Sequence, residues 1–103
     1  MADPMRIRAV LVDDKVDVKI LMAHEMETGL RKDGDGNVVP PRYIVSVTAT
    51  CNDRTVFSAL WGPSVAKNPF LAFRFKGGAK GDKLGVTWTD SEGETRTDEV
   101  TIG

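Results

Sequence analysis

The chain has 103 residues, 41% of them hydrophobic and 28% charged, which is the content of one folded domain spanning 1–103 with no room for a second core. Fourteen Lys and Arg against fifteen Asp and Glu leave a net charge of −1, so no overall field draws the chain to a phosphate backbone or an anionic membrane. No run approaches the ~20 apolar residues that span a bilayer, and the start from Met1 to Met5 lacks the basic and apolar pattern of a signal peptide, so export would need help.

The dominant signal along the chain is alternation at period two, interrupted by Gly, Pro, Asn and Asp, which predicts strands. The first runs from Met5 to Val12, with Met5, Ile7, Ala9 and Leu11 on one face and Arg6 and Arg8 on the other. Asp13 and Asp14 turn it into a second strand from Lys15 to Met22, where Val16, Val18, Ile20 and Met22 oppose Lys15, Asp17 and Lys19. The stretch from Leu21 to Glu27 holds mostly good helix formers, so a short helical turn competes there with continued extension until Gly29 ends either. The following segment, with Gly34, Asp35, Gly36, Pro40 and Pro41, reads as an excursion or an edge hairpin.

Tyr43, Val45, Val47, Ala49 and Cys51 are expected to share one face of the next strand, with Ser46, Thr48 and Thr50 on the other. Asn52 and Asp53 tolerate the positive φ of a two-residue hairpin turn and lead into a strand from Arg54 to Leu60. After the loop from Trp61 to Pro69, the alternation of Leu71, Phe73 and Phe75 gives a further strand, closed by the basic, glycine-rich turn from Lys76 to Lys83. Leu84, Val86 and Trp88 define another, and Ser91 to Glu94 turns it into Thr95–Ile102, whose Val100 and Ile102 reach a core. About seven short antiparallel strands imply an all-β, immunoglobulin-like β-sandwich. The paired cysteines of antibody domains are absent, since Cys51 stands alone, and no internal disulfide forms.

Few residues carry chemistry. A hydrolase triad or a histidine-rich metal centre needs more than the single His24. The carboxylates Glu25, Glu27, Asp33 and Asp35 follow it, but they lack the later Glu of an EF-hand, so neither metal nor cofactor is expected. An enzymatic reading would make His24 a general base oriented by Glu25 or Glu27, although neighbours on an extended chain point to opposite faces. Cys51 shares a strand face with valines and reads as core, with cross-linking of two chains as its alternative if the turn exposes it. KGGAKG lacks the GxxxxGK[ST] pattern and a following helix, so it is a turn. The loop holding Trp61, Pro63, Asn68, Pro69 and Phe70 is unusually apolar for a connection. Either its aromatics plug the end of the sandwich or part of it is an exposed patch that marks a protein interface.

Four separated segments, HEMETG from His24 to Gly29, WGP from Trp61 to Pro63, KNPF from Lys67 to Phe70, and VTWTDSEGETRTDEVTI from Val86 to Ile102, together resemble the SoxZ family. The likeness extends over essentially the whole chain, with Glu25 standing where the family's histidine loop often carries Pro. It implies a non-enzymatic scaffold that pairs with SoxY in the SoxYZ carrier of bacterial thiosulfate and sulfur oxidation. The glycine-cysteine arm of SoxY, not this chain, would hold the sulfur, and other Sox enzymes would dock transiently. It further implies a periplasmic location, reached by co-export with SoxY. Within that frame Trp61, Pro63, Asn68, Pro69 and Phe70 are candidates for the partner interface. His24, Glu25 and Met26 are candidates for a loop near the carrier arm or the docking enzymes. A hydrophobic face left without its partner would favour a homodimer. The rival to this reading is a generic immunoglobulin-like interaction module, and behind it a small hydrolase or metal-binding domain using His24.

Overall fold

The structure, a computed structural model, describes residues 3–103. Seven strands account for its regular structure: β1 Arg6–Val12, β2 Lys15–Leu21, β3 Ile44–Cys51, β4 Arg54–Leu60, β5 Phe70–Lys76, β6 Lys83–Asp90 and β7 Thr95–Thr101. Every pairing is antiparallel, in a three-stranded sheet ordered β1-β2-β5 and a four-stranded sheet ordered β4-β3-β6-β7. This is the all-β sandwich expected from the alternation, with the strand order of an immunoglobulin-like fold in which the fourth strand joins the β3-β6-β7 sheet. No helix of the described residues is long and apolar enough to cross a membrane.

Between the sheets lie the inward positions of both, among them Val16, Val18, Ile20, Val47, Ala49, Leu84, Val86 and Trp88, all buried. Each such valine, leucine or isoleucine contributes roughly 1.5–3 kcal/mol by leaving water, and together these side chains replace the absent disulfide as the link between layers. Asn52 and Asp53 take φ of 53° and 60°, the pair of left-handed residues that a tight reversal between right-twisted strands requires.

Two local expectations resolve differently. No helical turn forms after β2, because Met22, His24 and Met26 are all buried while Leu21 and Glu25 are exposed. Period-two burial continues beyond the strand and overrides helix propensity. In β3 the buried residue is Ile44 and not Val45, because the ladder to β6 runs from Ile44–Asp90 directly to Ser46–Thr89. Val45 is the extra residue of a β-bulge, which shifts the alternation by one position. The segment between β2 and β3 is a small hairpin: Lys32 bridges Val38, and the Asp33 carboxylate accepts the Asp35 and Asn37 amides at 2.9 and 3.0 Å.

The two lateral sides of the sandwich differ. On one, the C-terminal Gly103 amide donates to the Ala9 carbonyl and its carbonyl accepts the Leu11 amide, both at 2.9 Å, which closes β1 against the end of β7. On the other, β4 and β5 approach through a stack of Phe57 on Phe73, with ring centroids 4.5 Å apart.

Candidate functional site

One end of the sandwich collects the ends of β2, β4 and β6, the starts of β3 and β5, and the loops between them. His24 is the hub there. Its backbone is clipped on both sides by Asn68, whose Oδ1 accepts the His24 amide at 3.1 Å and whose own amide donates to the His24 carbonyl at 2.9 Å. Asn68 sits at φ 52°, a left-handed conformation that Asn tolerates better than most residues. The histidine loop and the apolar loop, read separately in the sequence, are therefore one hydrogen-bonded unit.

The imidazole is buried, its side chain only 3% exposed. The Met26 amide donates to Nδ1 at 3.1 Å. A backbone amide can only donate, so Nδ1 accepts and the ring proton sits on Nε2, 3.1 Å from Asp90 Oδ2. The ring also makes a T-shaped contact with Trp88, centroids 5.0 Å apart. The Trp88 indole nitrogen is buried without a hydrogen-bond partner among the described residues.

Asp90, with a fully buried side chain, is the acid that the sequence reading missed. Its Oδ1 accepts the Glu92 and Glu94 amides at 3.0 and 2.9 Å, which shapes the turn between β6 and β7. Its Oδ2 faces both His24 and Arg42 Nε, the latter at 3.3 Å, and Arg42 Nη2 reaches Glu94 Oε1 at 2.6 Å. Burial pushes the Asp90 carboxyl up, but the bonds from His24, the Glu94 amide, Arg42 and the Glu92 amide outweigh it and hold the group below the ordinary carboxylate range. Arg42 is raised chiefly by its bond to Asp90. Glu25 and Glu27, proposed as orienters of His24, do not serve: Glu25 lies on the surface 3.6 Å from Lys67, and Glu27 is paired with Arg31 at 2.7 Å. With one ring nitrogen accepting Met26 and the other donating to Asp90, His24 has no lone pair free for a substrate. A recess of about 410 Å³ lies beside it, lined in part by Arg42, Lys67, Asn68 and Trp88.

The remaining candidates divide between the two readings of the apolar loop. Pro69 is buried and accepts the Met22 amide at 2.9 Å, Trp61 is half-buried against the core and donates to Val45, and Met26 is buried with Sδ accepting the Ile44 amide at 3.4 Å. These plug the end. Pro63 is exposed, as are Phe70 at 63% and the neighbouring Leu60 at 87%. Leu21 stands beside Phe70 in the β2–β5 register, and Leu30 and Val38 lie exposed on the hairpin that leaves the same end. Large exposed apolar residues thus gather at this end, with Val12 alone at the other.

Cys51 is buried in β3, and burial raises its thiol above the ordinary value, so the nucleophilic thiolate is disfavoured. Folded protein is expected to leave a thiol-reactive chromophore unreacted at neutral pH and to consume one equivalent after unfolding in urea; fast labelling of the native chain would contradict the burial. No group of three or more His, Cys, Asp or Glu among the described residues is placed to hold a metal.

A family model described as SoxZ, sulphur oxidation protein SoxZ, matches residues 5–101, nearly the full length. A comparison with curated proteins finds no match. Sequence signature, sandwich and family match agree: the chain belongs to the SoxZ family and has its role in sulfur oxidation.

Proposed function

We propose that the chain is the scaffold half of a SoxYZ carrier, a non-enzymatic subunit that holds SoxY while the cysteine arm of SoxY bears the covalent sulfur. The observation that carries this reading is the state of Cys51. It is the chain's one cysteine, and it is sealed between the sheets with its thiol pushed up by burial. A thiol out of reach cannot itself carry the sulfur, which leaves that role to a group on another molecule. His24, with both nitrogens engaged, supports the same reading. The exposed apolar residues at the end built by His24 and Asn68 supply the surface that SoxY would cover, and the periplasmic location, with export as a passenger on SoxY, belongs to the same proposal.

Co-expression with SoxY followed by size-exclusion chromatography tests it: a stable complex of equal stoichiometry is expected. Intact mass spectrometry of the chain alone after exposure to thiosulfate should show no added sulfur. Separate elution of the two chains, or a covalent sulfur adduct on this one, would overturn the reading.

A further inference from the structure

We infer that the outer face of the three-stranded sheet is a second, electrostatic docking surface that receives the acidic face of a protein met transiently. The register places Arg6, Arg8, Lys15, Lys19, Arg74 and Lys76 on this one face, with Asp17 as its only carboxylate. That is an excess of five positive charges on a chain whose net charge is −1. The rows across the sheet sharpen the point. Arg8 stands directly opposite Lys19, and Lys15 directly opposite Lys76. Like charges facing each other across strands destabilise a sheet, and among the described residues only Arg74 has an ion-pair partner on this face, Asp17 at 3.6 Å. The fold therefore keeps two repulsive pairs that a single substitution in each would remove. A complementary negative surface turns that repulsion into attraction and accelerates encounter.

The face favours protein over a polyanion. Asp17 lies in its middle, between Val10 and Arg74, where a phosphate chain would meet a carboxylate but a protein can place a cation or an apolar group. The rows end in Val12 on one corner and in Leu21 and Phe70 on another, which makes the face part apolar and continuous with the exposed end of the sandwich. The inference rests on the reading of the chain as a carrier subunit, since a carrier must be approached by the enzymes that load and unload its sulfur.

The test uses the assembled complex with SoxY, its formation first verified by size exclusion. Association rates are measured against each purified enzyme that acts on the carried sulfur, at low and high salt, with the original chain and with Lys19→Glu/Lys76→Glu. Both repulsive pairs become attractive in that variant, so its Tm is expected to hold or rise while the association rate with at least one enzyme falls about tenfold and loses its salt dependence. An unchanged rate toward every enzyme would overturn the inference. So would an effect confined to a thymidine oligonucleotide or to phosphatidylglycerol vesicles, run in parallel. If the original chain does not assemble with SoxY, the carrier reading fails by itself, and the same rates measured on the isolated chain decide the docking face.

Discussion

Asp90→Ala is expected to remove about 3 kcal/mol of stability, visible as a lower urea midpoint at unchanged slope. The effect is large because one buried carboxylate satisfies four donors at once, His24 Nε2, Arg42 Nε and the Glu92 and Glu94 amides. Its removal strands a buried imidazole N–H and two turn amides. Asp90→Asn keeps the shape and should cost less. It also separates charge from geometry through pH. The folded Asp90 group is held below the usual range, as is Asp98 through its bonds from Arg96 and the Met5 amide. A depressed folded value means the stabilisation is complete above the unfolded carboxylate value, about 3.9, and is lost as pH falls through the folded one. The parent chain should therefore lose stability on the acid side of about pH 4, and Asp90→Asn should flatten that limb. An equally steep loss in the variant would assign the acid sensitivity elsewhere.

Phe70→Ala is the second change of large expected effect, and its target is association. Phe70 is 63% exposed and contributes little to the isolated fold, so thermal unfolding of the free chain should scarcely move. If SoxY covers this end, loss of a central aromatic anchor commonly costs about 2 kcal/mol or more, roughly a 30-fold weaker Kd. Leu60→Ser, at 87% exposure, should act in the same direction. Trp61→Ala is a poorer probe because the half-buried indole also packs on the core. Unaltered affinity in both Phe70→Ala and Leu60→Ser would remove this end from the interface.

The strands were legible because alternation is local: Val16, Val18 and Ile20 announce their shared face within five residues. The Asn52–Asp53 reversal was legible for a similar reason, since both side chains tolerate left-handed backbone. The inward face of β3 was misread by one residue upstream of Val47, because a bulge carries no compositional mark when the inserted residue is itself apolar. The acid beside His24 was invisible for another reason. Glu25 was near in sequence, whereas Asp90 lies 66 positions away and meets the ring only through the packing of two sheets. Asp90 did carry a signal as the residue that begins the turn into β7, where a carboxylate accepts the amides that follow. Likewise the basic residues of β1, β2 and β5 each looked like an ordinary solvent face. Their summation required the order β1-β2-β5, in which the third member comes from beyond residue 69.

The inserted Val45 acts as a vernier on the β3–β6 ladder, one of three that join the four-stranded sheet. Excising that codon would pair Ile44, Ser46 and Val47 with Asp90, Thr89 and Trp88 without a break, so Ile44 would stay inward and Tyr43 outward. Arg42 would keep its side of the mouth, near the carboxylate it grips at 3.3 Å, and what would be lost is the added twist of the bulge and the Val45 carbonyl that accepts the Trp61 amide at 2.9 Å. A deletion of one valine is thus a lesion confined to the bulge and the start of the apolar loop, whereas replacing Val45 by another β-branched residue leaves even that contact intact.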